Sequence, residues 1–464
     1  MGGLPRRATI IDGLKDSPQP PLFVADAGNF AWKSGRLSEA ARPQQRRKAE
    51  AILDAFARDP IDALGLGVRD LVLGVDWVKQ ATAARTLPVT LANLSCDGDK
   101  PFPGHQRVER GGVTVGFVGV FSDTMKVEGC EVSSSTVALR AELDAMGPVD
   151  MLVVFGHGTT EEDEALAEAV AEIDVVINGH GRVTRTSPLP LPNGAIQLGA
   201  GSRGKKLGIA ELLMVDGADG FSSAGALDDL RSRKATYDRR LESAQRNVVE
   251  AGDDNPTAKR RAERQVTYFS EELATITTQI AELETKGDAR AHTVDVELVD
   301  LNRKVKDHPG VLALLETAKT DIAALEHGAV VAPLGDTPYL GSAACSGCHS
   351  EIYQQWQETG HSRAYATLQV EERELDRDCY SCHVTGAFDE KGPQHPAQVT
   401  PLLQAVGCES CHGPGREHAK APAADGKVSR TPGEATCVQC HDGKQDEGRF
   451  SFAEYLPKVV HQSP

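Results

Sequence analysis

Four pentapeptides of the pattern Cys-x-x-Cys-His lie in the last third of the chain. They are Cys345-Ser-Gly-Cys348-His349, Cys379-Tyr-Ser-Cys382-His383, Cys408-Glu-Ser-Cys411-His412 and Cys437-Val-Gln-Cys440-His441. Two thiols at this spacing match the two vinyl groups of a haem, and the following histidine is placed to bind the iron from one face. Iron held this way does one-electron chemistry. A thioredoxin-like dithiol needs one such pair, and a zinc ribbon has no use for a histidine after every CxxC. Here each repeat keeps its histidine, at intervals of 34, 29 and 29 residues. The pattern predicts four covalent haem c groups, each with its motif histidine as the near-side iron ligand.

The remaining histidines extend this reading. The chain has 14, and eight lie from residue 340 onward. Subtracting the four motif histidines leaves His361, His395, His418 and His461 as candidates for the far sides of four irons. Iron with two imidazoles is saturated and suited to electron transfer. A haem that lacked the second imidazole would keep an open position for small-molecule chemistry.

Those side chains must be positioned by a chain of 464 residues, long enough for two or three domains. A hydrophobic content of 40% is ordinary for a soluble protein, whereas 5% aromatic is low. A net charge of −17 argues against nucleic acid and anionic membrane surfaces. It favours basic patches on redox partner proteins, such as other cytochromes or quinol-linked complexes. No apolar run reaches transmembrane length. Cys96 and Cys130 are left over from the haem motifs, either as a disulfide or as two buried thiols. Haem is attached to CxxCH outside the cytoplasm, so a periplasmic or otherwise exported location is expected. The opening Met1-Gly-Gly-Leu-Pro-Arg-Arg has no apolar segment of a secretory signal. An export signal upstream of residue 1 is therefore expected.

Three kinds of patterning divide the chain. Residues 1–222 alternate short apolar runs with polar helical stretches, the signature of an α/β domain. Strands are predicted at 21–26, 88–94, 113–122, 149–156, 174–178, 195–198 and 207–215, and a helix near 161–173. Over 223–290, Val266, Phe269, Leu273, Ile276, Ile280 and Leu283 recur in alternating three- and four-residue steps. Leu227, Leu230, Tyr237, Leu241, Ala244 and Val248 follow a looser version before the break at 252–256. This predicts an antiparallel helical hairpin, a coiled coil serving as a spacer or dimerisation arm. Residues 291–340 read as an alternating strand at 293–301, a helix at about 309–325 and a linker at 328–340. The last segment, 341–464, reads as a small, mainly α multihaem domain of short helices and loops with few aliphatic side chains.

The C-terminal region resembles the tetrahaem cytochrome c-554 family. The likeness rests on Cys345–His349 followed by Trp356 and Thr359-Gly-His361, and on Cys379-Tyr-Ser-Cys-His-Val-Thr-Gly386. Most specific is Val406-Gly-Cys-Glu-Ser-Cys-His-Gly-Pro-Gly415 with His418 beyond it. This resemblance implies a periplasmic electron carrier with closely packed haems. It places far-side ligands at His361, His418 and His461, and offers no counterpart for His395.

The N-terminal region resembles the 5'-nucleotidase branch of the calcineurin-like metallophosphoesterases. Met1-Gly-Gly-Leu-Pro-Arg-Arg, Asp26-Ala-Gly-Asn29, Ala92-Asn93-Leu94, Gly116-Phe-Val-Gly-Val120, Gly156-His157-Gly158 and Asn178-Gly-His-Gly-Arg182 carry the likeness. Such enzymes hold two metals that activate a water. The family's first strand, with its Asp-x-His, would lie upstream of Met1. Asn29 stands where the family has a bridging aspartate, and Gly67-Val-Arg-Asp70 where it has Gly-Asn-His-Glu. His157 and His180 remain as a remnant metal site, too few for two divalent ions. The resemblance implies an α/β metallophosphoesterase-like sandwich without activity, no divalent metal and no catalytic residue.

The sequence therefore predicts an exported electron-transfer cytochrome joined to a silent phosphoesterase-like domain. Two alternatives stand beside it. One is a metal-dependent phosphoesterase with a redox module. The other is a small-molecule oxidoreductase acting at a five-coordinate haem.

Overall fold

The computed structural model describes residues 3–16, 20–32, 37–59, 61–180, 184–215, 217–218, 220–223, 226–251, 256–285, 291–422, 428–442 and 450–461. Arg182 and the predicted hairpin tip at 252–255 lie outside these residues. The chain forms two compact units: 1–37 with 49–314, and 38–48 with 315–464.

The first unit starts with α1 (Leu4–Lys15), β1 (Ala25–Asp26) and α2 (Arg42–Arg58, of which 49–58 belong here), then β2 (Ala63–Gly65) and α3 (Val75–Ala83). There follow β3 (Val89–Thr90), β4 (Leu94–Cys96), β5 (His105–Arg110), β6 (Val113–Val120), β7 (Cys130–Val132) and α4 (Ser135–Met146). Next come β8 (Met151–Gly156), α5 (Thr160–Ala169), β9 (Val175–Asn178), β10 (Leu189–Pro190), β11 (Ile196–Leu198), β12 (Lys206–Leu213) and β13 (Phe221–Ser223). The helical pair α6 (Ala226–Ala251) and α7 (Pro256–Thr285), the strand β14 (His292–Asp300) and the start of α8 (Pro309–His327) close the unit.

Its centre is a six-stranded sheet in the order β10-β11-β9-β8-β6-β5, with β6, β8, β9 and β11 parallel. Both faces are buried, which explains the continuous apolar run Met151-Leu-Val-Val-Phe155. Leu152 and Val154 face α4 and α5, against Leu139, Met146 and Leu166. Val153 and Phe155 point the other way, with Val115, Phe117, Ala63 and Val294. A three-stranded parallel sheet, β1-β2-β3, covers that second face. The predicted strands over 113–215 lie within two residues of the observed ones. The polar edge strand β5, reading His-Gln-Arg-Val-Glu-Arg, gave no apolar run to detect.

Segment 293–301, read as an alternating strand, is the middle strand of a three-stranded sheet. As β14 it pairs antiparallel with β12 and parallel with β13. The helical pair is thus an insertion between two neighbouring strands. Tyr237 meets Phe269 edge-on at 5.9 Å between ring centroids, and Leu230, Ala244, Ala262 and Ile276 are buried. Of these, Leu230, Tyr237, Ala244, Phe269 and Ile276 are among the residues picked out by spacing and Ala262 is not; the side chains of Leu227 and Leu283 lie outside the described residues. Among the described residues, no helix is long and apolar enough to cross a membrane.

The second unit contains 38–48, the end of α8, and the short helices α9 (Ser350–Gln357), α10 (Ala364–Val370), α11 (Cys408–His412), α12 (Arg416–Lys420), α13 (Glu434–Cys437) and α14 (Phe452–Tyr455). Its apolar cluster is small: Tyr365, Leu368, Tyr380 and Val384. Polar contacts supply much of the rest. Glu409 accepts the backbone N–H groups of Leu340, Gly341 and Gly415. Buried Lys48 pairs with Asp376 and, at 2.7 Å, with Asp378. Burial opposes the charge on Asp376, but Lys48 and Arg373 hold its carboxyl below the usual carboxylate range.

Cys96 and Cys130 form a disulfide between register partners on β4 and β7, separated by 34 residues. By the chain-entropy relation a loop of this length contributes roughly 3 to 4 kcal/mol. The double substitution Cys96→Ala, Cys130→Ala should lower the denaturant midpoint of the first unit correspondingly. Circular dichroism in urea measures this, and the haem spectrum should not change.

Candidate functional site

Two sites arise from the loops. In the first unit, four loops that follow the C-terminal ends of parallel strands converge, where open α/β sheets place their ligands. Asn29 follows β1, Arg69 and Asp70 follow β2, His157 follows β8 and His180 follows β9. Gly28, at φ 92°, lets the first two loops touch: a Cβ there would lie 2.6 Å from the Gly65 carbonyl oxygen. Asn29 takes the left-handed conformation, φ 60°, which asparagine tolerates.

The polar groups of this site are occupied by one another and by backbone. Asn29 Oδ1 accepts the Arg69 N–H at 3.2 Å, and Asn29 Nδ2 donates to the Gly179 carbonyl at 2.9 Å. His157 Nε2 donates to the Ala27 carbonyl at 2.5 Å, and its Nδ1 lies 3.4 Å from Asn29 Nδ2. Asp70, which the sequence reading passed over, accepts N–H groups from Asn29, Ala31 and Gly67 at 2.7–2.9 Å. His180 is exposed. Among the described residues no three metal-binding side chains gather to hold an ion. As placed, these donors do not fit a two-metal centre.

The second site is built from the four haem motifs. In the first and last, the histidine N–H bonds back to the first cysteine carbonyl at 2.9 Å, so the pentapeptide closes one helical turn. The third motif is itself the helix α11. Sequence-distant motifs meet: the thiol of Cys345 lies close to that of Cys408, and the thiol of Cys382 close to that of Cys440.

Three motif histidines face three of the spare ones. His349 and His418 have ring centroids 6.2 Å apart, His361 and His441 6.3 Å, and His412 and His461 5.6 Å. A metal bonded to two imidazoles at about 2 Å each sets their ring centres about 6 Å apart. His412 Nε2 and His461 Nε2 are 3.4 Å apart, each aimed at the other. His412 Nδ1 donates to the Ser429 carbonyl at 2.6 Å, leaving Nε2 for a metal. His383 is oriented the same way by the Ala364 carbonyl at 2.6 Å. These residues fit haem iron.

His395 does not join them. Its Nδ1 accepts the Ala397 N–H at 3.0 Å, capping a short 3₁₀ turn, and its Nε2 lies 2.7 Å from Glu326 Oε2. The structure thus does not bring this far-side candidate to a motif histidine: Nδ1 caps the turn, and Nε2 lies beside Glu326. His383 accordingly faces no second imidazole among the described residues.

Comparison with known proteins agrees with this division. Residues 344–413 match the family Cytochrome c554 and c-prime. That span holds the first three motifs and His361. Cytochrome c-554 of Nitrosomonas europaea is 34% identical over 87 residues, 16% of this chain and 37% of that protein. The N-terminal region is similar to the uncharacterised metallophosphoesterase YunD of Bacillus subtilis, 28% identical over 143 residues, 28% of this chain and 30% of the relative. The chain thus spans about a third of the length of these relatives. Among solved structures, SoxB, a sulfate thiohydrolase of Thermus thermophilus, is 15% identical at a TM-score of 0.46, covering 72% of this chain and 48% of its own. A 5'-nucleotidase precursor from the same organism is 17% identical at 0.45, covering 71% and 55%.

The first-unit site has a pH signature. Burial raises the Asp70 carboxyl from 3.8 to about 7, and burial lowers the His157 imidazole from 6.5 to about 4. As pH rises from about 4 to 7, ionising Asp70 removes stability, whereas His157 adds it, because the unfolded chain must give up a proton that the folded imidazole never bound. Each is worth on the order of 3 to 4 kcal/mol, so they nearly cancel. His157→Gln should leave a stability that falls across this range, and Asp70→Asn one that rises. Urea titrations at several pH values measure both slopes.

Proposed function

We propose that this chain is an exported c-type cytochrome that carries electrons through four covalently bound haems, fused to a phosphoesterase-like domain without hydrolase activity. The facing of His349 with His418, His361 with His441, and His412 with His461 supports this most directly.

Bound at these motifs, the haems supply reversible one-electron transfer. The chain's own residues fix the arrangement. Eight cysteines, 345 and 348, 379 and 382, 408 and 411, 437 and 440, anchor the macrocycles. The three facing pairs saturate their irons and keep substrates off. Thiol contacts between the first and third motifs, and between the second and fourth, support a closely packed string.

A location outside the cytoplasm is supported by where CxxCH is matured and by the Cys96–Cys130 disulfide. The net charge of −17 supports a basic redox partner, a second cytochrome or a quinol-linked complex, and not nucleic acid. The apolar seam of α6 and α7 supports a coiled coil acting as spacer or dimerisation arm. Silence of the phosphoesterase site is supported by Asn29, His157 and Asp70 being spent on local partners. Phosphate-ester hydrolysis that needs added divalent metal and is lost in His157→Ala would overturn that part.

A second reading is favoured by one observation. His383 has its Nδ1 held by Ala364 but faces no imidazole, so the second motif would leave an iron position open to a small oxidant or reductant.

Protein matured with the haem-attachment machinery should gain the mass of four haems and show a c-type reduced-minus-oxidised spectrum. Correctly matured material without a Soret band would sink the main reading. Electron paramagnetic resonance should give three low-spin haems and one high-spin. His361→Ala, His418→Ala and His461→Ala should each convert one low-spin haem to high-spin at unchanged haem mass. Four low-spin signals in the native protein would end the second reading while leaving the first intact.

A further inference from the structure

Glu326 and His395 form a buried titratable couple that the electron path leaves unused. They are 4% and 6% exposed, at the end of α8 and in the loop beyond the second motif. His395 Nδ1 accepts the Ala397 N–H, so the ring's proton sits on Nε2, facing Glu326. Nε2 and Oε2 are 2.7 Å apart, yet neither is aligned for a hydrogen bond. Oε2 is therefore a buried carboxylate oxygen without an aligned donor. Oε1 is satisfied, by Arg377 Nε at 2.9 Å and Gln44 Nε2 at 3.0 Å.

This couple adjoins the second haem motif. Arg377 lies two residues before Cys379, and its backbone N–H is held by Gln44 Oε1 at 3.0 Å. Tyr380, inside the motif, is buried within electrostatic reach of both Arg377 and Glu326. On the same stretch, Lys48 and Arg373 neutralise Asp376 and Asp378. Arg377, Glu326 and neutral His395 sum to no charge, so an electron arriving at the neighbouring motif is uncompensated. A proton on the couple would compensate it.

We propose that the Glu326–His395 couple is a redox-linked proton site, taking one proton from solvent when the haem on Cys379 and Cys382 accepts one electron from an external donor. Ferric iron becomes ferrous, the proton adds to the couple, and no covalent bond to the chain is made or broken. Reduction tightens proton binding, so the potential of that haem falls as pH rises between the two affinities. Burial and Arg377 lower the His395 imidazole below its ordinary range, against the pull of Glu326.

The inference rests on the proposed haem at the second motif, and the test separates the two. Potentiometric titration of the four-haem protein between about pH 5 and pH 8 should show one potential falling by up to about 59 mV per pH unit, the value for one proton per electron. Glu326→Gln and His395→Gln should flatten that slope and leave the other three potentials and the haem mass unchanged. Full reduction of the native protein in weakly buffered indicator solution should consume about one proton per chain, which decides the matter if the variants do not fold. Four flat potentials without proton uptake, or a slope that survives both substitutions, would overturn the proton site alone. Absence of haem would overturn the proposed function instead.

Discussion

Two neutral imidazoles set face to face repel through their lone pairs unless a proton or a metal lies between them. In the second unit His412 and His461 set Nε2 against Nε2 in this way, and two further histidine pairs stand at a similar ring separation. The partners come from distant sequence: His361 meets His441, and His349 meets His418. Bringing them together costs loop-closure entropy, and Tyr365, Leu368, Tyr380 and Val384 are a small apolar cluster to offset it. Glu409, ligated by three backbone N–H groups, and Lys48, between two aspartates, hold the loops that present the motifs.

The first unit also gathers chemistry-bearing side chains at one end of a sheet, but with their donors turned inward. Asn29 and His157 bond to Gly179 and Ala27, and Asp70 braces the loop after β2. The strand-end geometry of a ligand site survives while the lone pairs that a metal would use are satisfied locally. The remaining burial strains are electrostatic and opposed in sign, the carboxyls of Asp26 and Asp70 pushed up and the His157 imidazole pushed down.

Legibility tracked the range of the determining contact. The haem motifs are local, five residues with a fixed spacing, and they were readable at once. So were the strands buried on both faces, because Met151-Leu-Val-Val-Phe155 carries its burial in composition alone. Subtraction found the spare histidines, and the family likeness offered no counterpart for His395, but nothing nearby in sequence announces its neighbour Glu326, about 70 residues away. Which motif histidine each spare one faces was not readable either. The part of 38–48 in the second unit was hidden for the same reason: Gln44 and Lys48 look like polar surface until residues 375–378 arrive. β5 escaped because an edge strand with a solvated face needs no apolar run. Asp70 entered the sequence reading only as the end of the segment Gly67–Asp70, and its structural task became visible only with the three N–H groups around it.

Because α6 and α7 are inserted between β13 and β14, which lie side by side in one sheet, the pair behaves as a graft between two paired strands of the first unit. Adding or removing whole helical turns would change its reach by about 5 Å each without asking the sheet to re-register. The span of that arm is therefore a quantity that drift or selection can adjust independently, while both ends of the chain keep their architecture.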